Sequence, residues 1–88
     1  MKVSINPAAV FAELDDGAVI LNVDTGIYFG LDQVGTRIWT LVGSGASSDA
    51  IVDQLATEYA APRDQITTDV TSLLQALQGK GLVQATTS

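Results

Sequence analysis

The spacing of apolar residues divides the chain into a strand-forming part and a helix-forming part. Up to Leu31, short apolar runs are separated by Asp15-Asp16-Gly17 and Asp24-Thr25-Gly26, which are typical turn sequences. After Asp32 the apolar residues recur every three to four positions, which is the period of a helix with one buried face. The pattern therefore predicts an α+β domain in which the strands precede the helices.

Three consecutive strands are predicted in the first part. They cover Val10–Leu14, Ala18–Val23 and Ile27–Leu31, and a short strand or ordered arm at Val3–Asn6 precedes them. Tight turns between consecutive strands produce an antiparallel meander, which places the third of these strands at an edge of the sheet. Gly26 stands where the second turn requires a positive φ.

Three amphipathic helices are predicted in the second part. The first covers Gln33–Val42, with Asp32 as its N-cap. The second has its N-cap at Ser47 or Ser48, and the third covers Asp64–Gln78.

The C-terminal residues predict a short last element. Gly79 fits the position that follows a helix, Leu82–Val83 predicts a short strand or wing, and residues 84–88 predict a frayed tail. The complete order of elements predicts a single domain over residues 1–88 with a winged helix-turn-helix fold. In that fold a three-stranded antiparallel N-terminal sheet is followed by three helices and a short C-terminal wing.

The composition excludes several classes of function. The chain has 88 residues, a net charge of -6, four basic residues, no cysteine and no histidine. The commonest general base and the commonest metal ligands are therefore missing, so we predict no enzyme, no metal and no cofactor. The negative charge repels nucleic acid and anionic membranes. Without an apolar run of signal-peptide or membrane-spanning length, the sequence predicts a soluble cytoplasmic protein.

The predicted edge strand, Ile27–Leu31, carries no charge, no proline and no other sequence feature that normally protects an edge from pairing. One interpretation is that the wing, the N-terminal arm or a second copy of the chain covers it. The other is that the edge accepts an extended peptide as an added strand. The two-residue period places Tyr28 opposite to Ile27, Phe29 and Leu31, and we expect the set that contains Phe29 to face the core.

The third helix offers a possible wall for a groove beside this edge. Its apolar stripe is in the first place a core stripe, and Asp69 by itself is interpreted as a solvated charge. If the helix lies beside the edge strand, the groove would be walled by Asp69, Val70, Leu73, Ala76 and Leu77. Trp39, in the first helix, is interpreted as a core anchor.

Several short motifs, in this order and spacing, resemble the PqqD-like proteins. The resemblance extends from about Leu14 to Val83. It is carried by Ile20-Leu21-Asn22, by Ile27 to Asp32, by Gly35 to Trp39, by Ile51-Val52 with Leu55 and Tyr59, by Asp69-Val70 with Leu73, Leu74 and Leu77, and by Gly81-Leu82-Val83.

The resemblance implies a domain that binds the leader peptides of ribosomally made, post-translationally modified peptides. In that family the leader adds as an antiparallel strand to the third strand and packs against the third helix. Carried over to this chain, the resemblance implies a peptide site formed by Ile27, Tyr28, Phe29, Gly30, Leu31, Asp69, Val70, Leu73, Ala76 and Leu77.

The free-standing form and the glycine-containing edge strand look most like the lasso-peptide group. That likeness implies an adaptor, a monomer or weak dimer, that delivers a precursor to a transglutaminase-like leader peptidase and an asparagine-synthetase-like macrocyclase. The alternatives are a peptide chaperone for pyrroloquinoline quinone biosynthesis and a winged-helix DNA-binding regulator. The quinone-pathway pattern has a cysteine near the end of the first helix, where this chain has Val42 and Gly43. The third helix lacks the basic residues of a DNA-reading helix.

Overall fold

The structure, a computed structural model, describes residues 2–86. The described residues form five strands and three helices. In chain order they are β1 (Val3–Ile5), β2 (Ala9–Leu14), β3 (Gly17–Asn22), β4 (Ile27–Leu31), α1 (Gln33–Gly43), α2 (Ser48–Glu58), α3 (Arg63–Gly79) and β5 (Val83–Ala85).

The strands form two antiparallel sheets. β2, β3 and β4 pair in that order, and β1 pairs with β5. The α+β class, with an antiparallel sheet and three helices, is confirmed. The arrangement of the sheets differs from the prediction at the two ends of the chain, where the N-terminal arm and the C-terminal segment pair with each other instead of forming an arm and a separate wing. Val3 and Val83 are both buried, so this pairing also places apolar side chains in the core.

The predicted frayed tail at 84–88 is partly wrong. Gln84 and Ala85 belong to β5, where they pair with Ser4 and Val3. The amide of Thr86 donates to the carbonyl of Lys2 at 2.9 Å. These bonds satisfy backbone groups that a frayed tail would leave to water. Residues 87 and 88 lie outside the described part of the chain.

The connection between β3 and β4 is a four-residue loop, residues 23–26, because Asn22 pairs with Ile27. The prediction of a shorter turn and of a strand reaching Val23 is therefore corrected. The buried Asn22 explains the loop, because its side-chain oxygen accepts from the amides of Asp24 and Thr25 at 2.9 and 3.2 Å. Gly26 has φ of +74°, as predicted, and its amide donates to the carbonyl of Asn22.

The helix caps follow the sequence signals at the N-termini of α1 and α2. The carboxylate of Asp32 accepts from the amide of Gly35 at 2.7 Å, and the hydroxyl of Ser47 accepts from the amide of Ala50 at 3.2 Å. At the end of α3 the prediction for Gly79 is wrong, because Gly79 is still helical. Gly81 has the left-handed conformation there, with φ of +71°.

The core lies between the inner face of the three-stranded sheet and the helices. Ile20 from β3, Ile38 from α1, Ile51 from α2 and Leu74 from α3 are almost completely buried. Trp39 is also buried and stacks on Phe11, with ring centroids 6.3 Å apart, so its predicted role as a core anchor is confirmed.

An exposed ion pair connects α1 to the end of α2. The guanidinium of Arg37 donates to the carboxylate of Glu58 at 2.6 Å, and the amide of Gln54 donates to the same carboxylate at 2.7 Å. These two hydrogen bonds lower the pKa of Glu58 to about 2, and the bond from Arg37 has the larger effect. The guanidinium of Arg37 therefore lies against α2 in an exposed ion pair, a contact that contributes little to stability.

Candidate functional site

The three-stranded sheet has two outer strands, β2 and β4, and the outer edge of β4 is open. Among residues 2–86, β4 pairs with β3 alone, and its other edge has no backbone partner. The N-terminal arm and the C-terminal strand, which could have covered this edge, pair with each other elsewhere. A strand with one unpaired edge presents a row of amide and carbonyl groups that another extended chain can bind.

The hydrogen bonds between β2 and β3 determine which groups of β4 face the open edge. The amide of Val23 donates to the carbonyl of Ala8 at 3.0 Å. Because successive residues of a strand direct their amides to opposite sides, residues 19, 21 and 23 face β2. The even-numbered residues 18, 20 and 22 therefore face β4, in a continuous antiparallel register.

The outward backbone groups of β4 belong to Tyr28 and Gly30. Phe29 and Leu31 pair with residues of β3 that face β4, so their amides and carbonyls point into the sheet. Ile27, at the start of the strand, also pairs with β3, and its amide donates to the hydroxyl of Thr25 at 3.3 Å. The amides and carbonyls of Tyr28 and Gly30 point the other way, to the open edge. This edge therefore offers two donors and two acceptors to an added strand.

A groove of about 620 Å³ lies along the open edge. β4, the N-terminal half of α1 and the middle of α3 form its walls. The lining residues are Phe29, Gly30, Leu31, Asp32, Val34, Gly35, Ile38, Asp69 and Leu73.

The side chains of β4 alternate between the groove and the opposite face of the sheet. Phe29 is half-buried and Leu31 is buried, so the prediction that this set faces the core is confirmed for both. Ile27, at the start of the strand, is 38% exposed. Tyr28 is 68% exposed on the other face. A Cβ at Gly30 would meet nothing within 4 Å, so the approach to the backbone there is unobstructed.

α3 contributes fewer residues to the groove than the sequence predicts. Asp69 and Leu73 line it, while Ala76 is exposed and lies outside the lining. Val70 and Leu77 are fully buried, with 0% exposure. Their predicted place in the groove wall is therefore corrected, because their side chains pack in the core beneath it and present no surface to a ligand.

The comparisons with known proteins agree with this geometry. The family of coenzyme PQQ synthesis protein D (PqqD) matches residues 17–83. The chain belongs to the PqqD family. The resemblance inferred from the motifs is thereby confirmed, and the matched segment contains the sheet from β3 onward and all three helices.

Two curated relatives of this PqqD-family chain are PqqA binding proteins. The one from Rhodopseudomonas palustris (strain BisB5) is 44% identical over 52 residues, which is 59% of this chain and 51% of the relative. The one from Bradyrhizobium diazoefficiens (strain JCM 10833 / BCRC 13528 / IAM 13628 / NBRC 14792 / USDA 110) is 40% identical over 52 residues, 59% of this chain and 50% of the relative. The chain spans about half the length of the curated relatives it matches.

Two solved structures share the fold over almost the whole PqqD-family chain. TbiB1 in complex with the TbiA(beta) leader peptide has a TM-score of 0.87 and 40% identity, and the match covers 97% of this chain and 99% of that one. Lasso peptide synthetase B1 complexed with the leader peptide has a TM-score of 0.86 and 24% identity, and the match covers 97% of this chain and 100% of that one. The second likeness shows the fold alone.

Sequence reasoning missed the contribution of α1 to the site of this PqqD-family chain. Val34, Gly35 and Ile38 line the groove together with the capping residue Asp32. An adjoining cavity of about 210 Å³ extends it between the three helices. Its lining residues are Val34, Ile38, Leu55, Tyr59, Ala61, Gln65, Ile66 and Asp69. The signal available in the sequence was Val34, the first apolar residue of the helical pattern that follows Asp32.

The lining of the groove is apolar and acidic. Asp32 and Asp69 are the two ionisable residues in its lining, and both are acidic. Within residues 2–86, no group of His, Cys, Asp or Glu is placed to hold a metal ion. No described helix is both long and apolar enough to cross a membrane. The groove therefore combines backbone hydrogen-bonding groups, an apolar wall and negative charge.

Proposed function

We propose that this chain is a non-catalytic adaptor that binds the leader peptide of a ribosomally made precursor peptide. The observation that carries the proposal is the open edge of β4 beside a groove walled by α1 and α3. Strand addition requires an unpaired row of backbone groups and pockets for alternate side chains, and this edge has both. TbiB1, which is 40% identical over nearly the whole chain, has been solved with a leader peptide.

The direction of the backbone groups gives the proposed pairing. The leader forms hydrogen bonds with the amides and carbonyls of Tyr28 and Gly30. Leader residues opposite those two positions project to the outer face of the sheet, because directly paired residues of an antiparallel ladder share a face. The leader residues between them project into the groove, toward Leu73 and Asp69.

We assign the adaptor to lasso-peptide biosynthesis. The proposed partners are a transglutaminase-like leader peptidase and an asparagine-synthetase-like macrocyclase in the cytoplasm. The likeness to TbiB1 supports this over 97% of the chain, whereas the likeness to the PqqA binding proteins covers 59% of it. Helices α1 to α3 with the β1–β5 ribbon support an interpretation of the fold as a winged helix.

The proposal is tested by titrating the protein into fluorescently labelled leader peptides and following the anisotropy. One peptide is the leader of a lasso-type precursor and the other is a PqqA-type peptide. We expect saturable binding of the lasso leader and an unchanged peptide mass after incubation. Preferential binding of the PqqA-type peptide would instead assign this adaptor to the quinone pathway. Binding of neither peptide, or cleavage by this protein alone, would refute the proposal.

Duplex DNA is expected not to bind measurably near physiological salt. The only basic residue within α3 is Arg63, which pairs with the carboxylate of Asp53, and the helix also carries Asp64 and Asp69. With a net charge of -6, the chain has no means of releasing counterions from a duplex. Fluorescence anisotropy with labelled duplexes checks this. An anisotropy increase that weakens steeply with salt would contradict it.

Truncation of Leu73 to alanine is expected to weaken leader binding by about 1–3 kcal/mol, the range of an interface anchor. Leu73 is half-buried, lines the groove and also packs against the core. The matched control is Leu41→Ala, which truncates a half-buried leucine of α1 that is not among the groove residues. Anisotropy titrations and melting curves are measured for both variants. Equal loss of binding in both would show that only stability had changed.

Neutralisation of Asp69 as Asp69→Asn is expected to weaken leader binding by less than about 1 kcal/mol. Asp69 is exposed, so a contact with a basic leader residue would be largely screened by solvent. The difference from the wild type should disappear as salt is raised. Titrations at low and high salt check this, and a loss that persists in high salt would contradict a charge contact.

A further inference from the structure

Asn22, the last residue of β3, is a buried polar residue whose side chain forms hydrogen bonds in two directions. Its oxygen accepts from the amides of Asp24 and Thr25 at 2.9 and 3.2 Å, and its nitrogen donates to the carbonyl of Gly81 at 3.0 Å. Only 3% of the residue is exposed, so water cannot take the place of these partners. Asn22 therefore connects the β3–β4 loop to the segment between α3 and β5.

Further hydrogen bonds continue from Asn22 to the first residue of β4. The backbone carbonyl of Asn22 accepts from the amide of Gly26 at 2.7 Å. The hydroxyl of Thr25 accepts from the amide of Ile27 at 3.3 Å, and the amide of Thr25 is itself bound by the Asn22 side chain. Because Asp24 and Thr25 are exposed, their amides can bind water when that side chain is removed, and the loop can then open.

The first half of β4 has little support apart from this loop. Ile27 and Tyr28 are exposed, whereas Phe29 is half-buried and Leu31 is buried, so packing against the core begins only in the middle of the strand. Within residues 2–86, β4 pairs with β3 alone. The position of the Tyr28 backbone, which carries half of the outward hydrogen-bonding groups, therefore depends on how the loop closes.

We propose that Asn22 is a positioning residue of the peptide site. It keeps the β3–β4 loop closed and thereby holds the first half of β4 in the position to which the leader pairs. Asn22 is not among the lining residues of the groove, so it acts on the leader through Tyr28 and without contact. If the loop is closed in only a fraction of the molecules, the apparent affinity falls by that fraction. This inference rests on the proposed function and adds a buried residue that sets the leader affinity.

Asn6 provides a matched control within the same hydrogen-bond network. Its side-chain nitrogen donates to the same carbonyl of Gly81, at 2.8 Å, and its side-chain oxygen accepts from the amide of Ala8 at 3.0 Å. Asn6→Ala therefore removes a donor from the same acceptor and leaves the bonds to the amides of Asp24 and Thr25 in place. A general loss of stability would act on both variants, whereas an opened β3–β4 loop would act on Asn22→Ala alone.

The first test is an anisotropy titration of the full-length variants with the labelled leader of a lasso-type precursor, well below their melting temperatures. We expect Asn22→Ala to weaken leader binding about fivefold or more, at the lower end of typical coupling between sites. Asn6→Ala should bind with nearly the wild-type affinity, even if it melts earlier. Asn22→Asp should restore most of the affinity, because an aspartate oxygen can accept from the same loop amides although the donor to Gly81 is lost. Asn22→Ser, whose hydroxyl accepts in the same way but more weakly, replaces Asn22→Asp if the latter is unfolded.

The second test is amide exchange by NMR in the wild-type protein, which requires no variant to fold. By linkage, a leader that binds the closed loop better must also slow the opening of that loop. Saturation with the leader should therefore slow the exchange of the Asp24 and Thr25 amides and leave that of Ala8 unchanged. Unchanged exchange at Asp24 and Thr25 would overturn the inference. So would an equal loss of affinity in Asn22→Ala and Asn6→Ala, or a loss that neither folded conservative variant restores. Failure of the wild type to bind the lasso-type leader would instead count against the proposed function.

Discussion

Proline at Tyr28 or at Gly30 is expected to leave the protein folded and to abolish leader binding, whereas proline at Phe29 is expected to unfold it. Proline has no amide proton, so it removes one backbone donor wherever it stands. The amides of Tyr28 and Gly30 face the open edge, where an edge strand tolerates proline. The amide of Phe29 faces Ile20 in β3, and its half-buried ring packs against the core.

Matched alanine variants separate the backbone effect from the side-chain effect. Tyr28→Ala and Gly30→Ala retain the amide and should still bind the leader, and alanine fits at Gly30 because the space around it is open. Phe29→Ala should be less destabilised than Phe29→Pro. Circular dichroism melting and anisotropy titration are measured for all variants. If all three proline variants fold and bind the leader normally, the peptide must bind elsewhere.

Alanine at Gly17 is expected to be among the most damaging single substitutions in the chain. A Cβ at Gly17 would overlap the carbonyl oxygen of Leu31, a backbone atom at the end of β4 that cannot swing aside. Overpacking of a well-packed site costs about 1–3 kcal/mol and occasionally more. We expect about 3 kcal/mol, which for a domain of this size lowers the melting temperature by roughly 12–24 °C.

Gly30→Ala is the internal control for Gly17→Ala, because the two glycines belong to the same sheet and the Cβ at Gly30 meets nothing within 4 Å. Thermal melting of both variants checks the prediction. Because Gly17 holds the end of β4 against β3, Gly17→Ala should also disturb the strand to which the leader is proposed to pair. Equal melting temperatures for the two variants would contradict the close packing of Gly17 on Leu31.

The local features of the fold could be predicted from local sequence. β4 begins and ends at the predicted residues, Ile27 and Leu31, because turn residues and a capping Asp32 stand on either side of an uncharged run. The pairing of β1 with β5 could not be predicted, since no pattern within either three-residue strand indicates a partner about 80 residues away. The four-residue loop after Asn22 was also missed, because it depends on a buried polar side chain that local turn signals do not reveal.

The candidate site was predicted in part, for a geometrical reason. With about 100° between successive residues of a helix, Val70 and Leu77 lie within about 20° of each other on α3. That direction is the core direction, and Asp69 and Leu73 are rotated toward the groove. The sequence-based prediction placed all four residues in the groove wall because they are close in sequence. The contribution of α1 depends on how the helices cross, which the spacing of apolar residues does not determine.

Backbone amide exchange, measured residue by residue by NMR with and without the leader peptide, tests strand addition at β4 most directly. In the free protein the amides of Phe29 and Leu31 should exchange slowly, and those of Tyr28 and Gly30 should exchange fast. Saturation with the leader should slow the exchange of Tyr28 and Gly30, because the added strand accepts hydrogen bonds from both. A leader that binds to saturation while both of these amides still exchange fast would contradict strand addition at this edge.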